Sequence, residues 1–174
     1  MQKFFQSLFY AYLRTFFRKR LNQVSIPLIN SDVKKALVFL PDDPVIVNHL
    51  KKFTPSLKKH FELVTFVINE SLTALFKDKT PINAIVYNSS HKGKLEIPKQ
   101  PLISRLRMGS YDVIVDLNLS DSFFHYYLIH KIKCDRKLGF LRNNSDLFNN
   151  LQLRTSGNTN FEGVYESFFK FLFL

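Results

Sequence analysis

The stretch "KALVFLPDDPVIVNHL" (Lys35–Leu50) decides how the chain reads. "ALVFL" (36–40) is a continuous apolar run of strand length. "PVIVNHLKKF" (44–53) starts with a proline at a first helical position, directly after an aspartate. A buried strand running straight into a helix is the opening of a βαβ unit. Dinucleotide-binding folds place glycines at this junction, so that backbone amides can approach a pyrophosphate. Here Pro-Asp-Asp-Pro stands instead. Two carboxylates at the positive end of a helix repel an anion, and Pro44 removes an amide donor. The turn therefore excludes NAD, FAD or ATP, and no cofactor is expected. Asp43 reads as the helix N-cap and Asp42 as a solvated neighbour. The functional alternative makes one of the pair a general base facing an acceptor hydroxyl at the sheet edge.

The same alternation continues along the chain. Apolar runs at 63–68, 82–88, 111–117, 137–140 and 151–155 read as five further strands. Helical segments are expected at 55–61, 70–76, 101–108, 122–133 and 161–173, the fourth of these capped by Ser120 or Asp121, with a turn of helix at "SDLFNN" (145–150). The polar stretch 89–101 reads as a mobile loop crossing to the helix at 101–108. Continuous apolar strands alternating with helices mean a parallel sheet covered on both faces. The expected fold is α/β, a doubly wound, mainly parallel Rossmann-like sheet of about six strands. Residues 35–174 form that single domain.

Residues 1–34 read differently, as a basic amphipathic helix and a linker. Phe4, Phe5, Leu8, Phe9, Tyr12, Leu13, Phe16, Phe17 and Leu21 recur at helical spacing over 3–21. The first 35 residues hold seven cations against Asp32, a net of +6 out of a chain total of +11. Such a field draws anionic partners. The helix either packs on its own domain, pairs with a second copy, or lies in a lipid monolayer with its basic residues above. Phe5, Phe9, Arg14, Phe16, Arg18 and Arg20 are its contact residues for an anionic membrane surface or a protein partner, self-association included. A nucleic-acid partner is disfavoured, because the basic residues are not interleaved with exposed stacking aromatics.

Composition bounds the rest. With 45% hydrophobic and 22% charged residues the chain is globular, and its 19 Phe residues suit a core or a hidden aromatic surface. The single Cys134 allows no internal disulfide and fits a reducing compartment. No run approaches the roughly 20 apolar residues that span a bilayer. The N-terminus does not read as a signal peptide. The expected location is cytoplasmic, peripheral at the inner membrane face. No metal is expected: His49 and His60 sit on separate helical pieces, and His125 and His130 fall about 140° apart around their helix. These histidines read as surface or core-edge residues.

In an open parallel sheet, ligands sit beyond the carboxyl ends of the strands. That selects Asp42 and Asp43, Asn69 and Glu70, Asn88 to His91, Asn118 to Asp121, and Leu141 to Asn144. Asp116 ends a buried strand and needs a partner, with loop amides the simplest one. Asp42, Asp116 and Asn118 are the ligand-binding candidates and Asp43 the catalytic one.

The segment "YDVIVDLNLSDSFFHYYLIHKIKCDRKLGF" (111–140) resembles the heptosyltransferases, family 9 glycosyltransferases. Tyr111, Asp112, Asp116, Leu117, Lys137, Gly139 and Phe140 carry the likeness. "ALVFLPDDPVIV" is similar to that family's first strand and loop, where a Gly-Asp pair precedes the helix. The resemblance spans roughly residues 35–155, the acceptor-side N-terminal half. It implies that Asp43 stands where the family's general base acts on the acceptor sugar. Asp42 in place of the glycine, and Pro44 after it, depart from the pattern. A group of small bacterial proteins with a basic N-terminal helix and a closing Phe-rich helix is also similar. The family has a second Rossmann-like half that binds the sugar nucleotide, and this chain holds one half. The expected function is therefore a non-catalytic accessory or interaction protein. The alternative is a glycosyltransferase-like half-enzyme that borrows its donor site from a partner chain, with Asp43 as base and Asp116 or Asn118 shaping the pocket.

Overall fold

The structure is a computed structural model that describes residues 2–16, 33–76, 82–155 and 160–173. Its centre is one parallel sheet built from β1 (Lys35–Phe39), β2 (Leu63–Asn69), β3 (Asn83–Tyr87), β4 (Val113–Asp116), β5 (Lys137–Phe140) and β6 (Leu151–Leu153). The strand order is β3-β2-β1-β4-β5-β6, and every pairing is parallel. The order reverses between β1 and β4. The two strands end level there, with Phe39 opposite Asp116.

Alternation along β1 shows how the layers form. Ala36, Val38 and Leu40 face one apolar cluster, while Leu37 and Phe39 face the other. The first cluster holds α2 (Pro44–Leu50), α3 (Thr54–His60) and α6 (Phe161–Leu172). The second holds α1 (Gln2–Phe16), α4 (Gln100–Met108) and α5 (Phe123–Lys131). The doubly wound α/β fold expected from the pattern is the fold observed.

Several local differences have physical causes. The helix expected over 44–53 is α-helical to Leu50 and then tightens into a 3₁₀ turn over Lys51–Phe53. Pro55 has no amide to continue the ladder, so the Thr54 amide bonds the Lys51 carbonyl instead. The segment 70–76 is also 3₁₀. α5 is capped by Ser122, whose hydroxyl accepts the His125 amide, and not by Ser120 or Asp121. The Asp121 carboxylate is occupied by the Tyr126 hydroxyl at 2.7 Å. At its other end α5 stops at Lys131, where Lys137 Nζ donates to the Ile129 and Ile132 carbonyls.

The stretch 89–101 is folded rather than irregular. Two 3₁₀ turns, Ser89–His91 and Lys94–Glu96, are closed by a bridge between Lys92 and Pro98. Leu95 and Glu96 both take left-handed backbone angles there, a conformation that disfavours residues with a Cβ. The Gly93 amide bonds the Ile97 carbonyl at 2.8 Å and holds the turn closed.

α1 lies on the α5 side of the sheet. Phe9 meets Phe123 edge-on and stacks on Tyr127, both at 5.3 Å, and Leu13 is 1% exposed. The rest of the helix expected over 3–21, with Arg18, Arg20 and the linker 22–32, lies outside the described residues, as does the Phe16 side chain. Among the described residues no helix is long and apolar enough to cross a membrane.

Candidate functional site

The two aspartates of the first turn have different partners. Asp43 Oδ1 accepts the amides of Val45 at 2.8 Å and Ile46 at 3.1 Å, which caps α2. Asp42 is not merely solvated, as the sequence suggested. Its Oδ1 accepts the Tyr87 hydroxyl at 2.5 Å and Asn69 Nδ2 at 3.2 Å. Tyr87 ends β3, two strands away from β1, and is fully buried.

From Tyr87 a buried polar chain runs across the end of the sheet. The Tyr87 hydroxyl oxygen lies 2.8 Å from His125 Nε2, and His125 Nδ1 lies 3.2 Å from Asn118 Oδ1. The Asn118 side chain and backbone amides donate to Asp116 Oδ1 at 2.6 and 3.2 Å. Asp116 Oδ2 is bound by the Arg142 guanidinium, which also donates to the Ser120 carbonyl and lies over the Tyr126 ring. Asp116 and Arg142 are both buried. The Asn118 amides and the Ser120 carbonyl bond further atoms of this buried ion pair and offset part of its desolvation, while Arg142 Nε is buried without a hydrogen-bond partner among the described residues.

Burial sets the protonation of this chain. It pushes the Tyr87 hydroxyl well above the usual range, with the Asp42 carboxylate adding to the effect. It holds His125 below the usual imidazole range, although Asp116 and Asp42 pull the other way. His125 is therefore neither a surface nor a core-edge residue. It is 1% exposed and sits among hydrogen-bonding partners.

The chain borders a pocket of about 450 Å³ at the carboxyl ends of β1 and β4, the point where the strand order reverses. Asp42, Asn118 and His125 form its inner wall, Gln6 and Tyr10 of α1 its rim, and Lys92 and Glu96 another edge. Burial pushes the Tyr10 hydroxyl up to about 12, with Asp121 adding to the effect and Arg142 opposing it. Asp42, Asp121 and Glu96 face Lys92 alone among the charged lining residues. The net acidic balance of that lining opposes a polyphosphate. Among the described residues no three His, Cys, Asp or Glu side chains gather as a metal site would require.

The structure thus brings Asp42, Asn118 and Asp116 together and leaves Asp43 beside them, turned to its own helix. Of the contact residues chosen on α1, Phe5 and Phe9 pack on α5, and Arg14 donates to Asn144 at 2.8 Å. Sequence reasoning missed Tyr87, His125 and Arg142. Arg142 lay within a selected stretch after β5, but nothing local marks it as the partner of Asp116. The other resemblance residues serve the fold. The Asp112 carboxylate accepts the Lys34 and Lys35 amides, both at 2.9 Å. Gly139 leaves room for Asn149, whose amide nitrogen would lie 2.4 Å from an added Cβ.

No family model and no curated protein matches the chain. Among solved structures it is similar to a glycosyl transferase family 9 protein from Veillonella parvula. The TM-score is 0.63 at 20% identity, over 80% of this chain and 41% of that one. The likeness establishes a glycosyltransferase-like, Rossmann-like fold. The chain spans less than half the length of the protein it matches.

Proposed function

We propose that this protein is an accessory module with a glycosyltransferase-like fold, seated on an anionic membrane surface through α1. The observation that carries this reading is the division of α1 into two lines of apolar residues. Phe5, Phe9 and Leu13 are taken up by the domain, while Phe4 and Leu8 on the outer line are 70% and 54% exposed. Lys3 is exposed beside them, on a chain of net charge +11. A helix clamped by its inner line and apolar on its outer line is fitted to lie at a lipid interface. Co-sedimentation with phosphatidylglycerol vesicles and with phosphatidylcholine vesicles tests this. Binding is expected to the anionic vesicles only, and about tenfold weaker for Phe4→Ser/Leu8→Ser, because apolar burial drives insertion. Equal binding to both vesicle types, or a double variant that binds like the parent, overturns it.

A second reading is favoured by the pocket itself. The chain would be a half-enzyme that holds a sugar acceptor at the ends of β1 and β4 and takes its nucleotide-sugar donor from a partner chain. The resemblance puts the base at Asp43, whereas the carboxylate bordering the pocket is Asp42. Chemical-shift mapping with methyl glycosides and with a nucleoside diphosphate sugar tests this reading. It expects the glycoside at the pocket and no binding of the nucleotide sugar. A nucleotide sugar held by this chain alone removes the need for a partner.

A further inference from the structure

The protons along Asp42, Tyr87, His125, Asn118 and Asp116 can be counted. Asp116 Oδ1 accepts two Asn118 N–H groups and Oδ2 accepts Arg142. Turning the Asn118 amide over would set its oxygen 2.6 Å from Asp116 Oδ1, acceptor against acceptor. The Asn118 oxygen is therefore what faces His125 Nδ1, and their contact is a hydrogen bond only with a proton on Nδ1. Burial keeps the imidazole neutral, against the pull of Asp116 and Asp42 and with the help of Lys92 and Arg142. Nε2 then carries a lone pair. Tyr87 has one proton for two acceptors, Nε2 at 2.8 Å and Asp42 Oδ1 at 2.5 Å. Three contacts share two protons, and one buried contact is left without a hydrogen. Asp42 is the exposed member of the chain and the one through which a third proton can enter.

We propose that Asp42, not Asp43, is the proton acceptor of the pocket, with Tyr87 and His125 as positioning residues whose hydrogen bonding is completed when Asp42 takes up a proton. This rests on the half-enzyme reading. The ligand is a hydroxyl-bearing sugar. Its O–H bond breaks and the proton passes to Asp42. The oxygen electron pair forms a bond to the anomeric carbon of a nucleoside diphosphate sugar on the partner chain. The anomeric C–O bond breaks and its pair leaves with the diphosphate. Protonated Asp42 then donates to Tyr87, Tyr87 donates to Nε2, and Nδ1–H donates to Asn118, so that every contact holds one hydrogen.

Asp42→Asn separates this arrangement from an ordinary Tyr–carboxylate bond, because the amide N–H supplies the missing proton permanently. The midpoint of thermal unfolding at pH 7 is expected to stay level or rise for Asp42→Asn and to fall for Asp42→Ala. Long-range ¹H–¹⁵N NMR of histidine-labelled full chain is expected to show His125 protonated on Nδ1 and not on Nε2. A loss in Asp42→Asn equal to that in Asp42→Ala, or an Nε2–H tautomer, overturns the proposal whatever the pocket binds. Methyl α-glucoside binding is expected to weaken tenfold or more in Asp42→Asn and to be unchanged in Asp43→Asn. No glycoside binding by the parent protein overturns the half-enzyme reading, and the acceptor role with it. Glycoside binding that survives in Asp42→Asn overturns the role of Asp42 alone.

Discussion

The turns after β1 and β4 look alike in sequence, each a buried strand ending beside an aspartate. Their carboxylates have different fates. Asp43 bonds two amides of its own helix, two and three residues away. Asp116 bonds Asn118 nearby and Arg142, 26 residues on. The first is a local device that stabilises one helix end. The second is a tertiary device that ties the carboxyl end of β4 to the turn after β5 and holds Asn118, a residue of the pocket lining. Position at a strand end makes a carboxylate a candidate, while its partner decides what it does.

The contrast is sharpest in what removal should cost. Asp116→Ala leaves the Arg142 guanidinium buried and unpaired, and the expected loss is about 3–5 kcal/mol of folding stability. Replacing both partners, Asp116→Leu with Arg142→Met, should recover much of that loss, since no charge is then stranded. Urea unfolding of the two variants checks this. A single variant that unfolds like the parent would mean the pair is not buried as described. Asp43→Ala removes one cap and should cost only about 1 kcal/mol, with the pocket intact. A loss as large as that of Asp116→Ala would erase the distinction between the two turns.

The smallest effect concerns His130 at the far end of α5. Burial holds it down at about 4, with Lys131 beside it and Lys137 and Arg107 brought in by the fold. The unfolded imidazole binds protons below about 6.5 while the folded one does not. Stability is therefore full above that value and declines as pH falls toward 4. His130→Asn should flatten this slope, by no more than about 1 kcal/mol because the ring is partly exposed to screening solvent. Melting temperatures across that window read it directly, and an unchanged slope would show that burial and the neighbouring cations do not hold His130 down.

Legibility followed the same division. The strands and helices were readable because apolar periodicity is a property of neighbouring residues, and the Asp43 cap because its acceptor and donors lie within one turn. The details that went wrong involve competition between local and distant partners. Asp121 was a plausible cap for α5 until the Tyr126 hydroxyl took its carboxylate, which left Ser122 to meet the His125 amide. Asp42 looked solvated because the side chain that engages it lies 45 positions away. His125 looked peripheral because its helix is apolar around most of its circumference, with five other residues of α5 buried beside it. No face of that helix stands out in the sequence as the inner one.

Residue order alone was enough for a parallel α/β sheet, a first turn whose carboxylates and proline oppose a phosphate, and a first helix with one wide apolar stripe and a cluster of cations. Those follow from covalent order, since strand and helix periods, proline geometry and charge are read over a few residues. Tertiary structure alone decided that β3 and α5 bring Tyr87 and His125 to Asp42, that Arg142 reaches Asp116, and that α1 supplies a rim to the pocket. Each of those contacts joins segments that only the sheet order places together, and a hydrogen bond depends on that distance and not on separation along the chain.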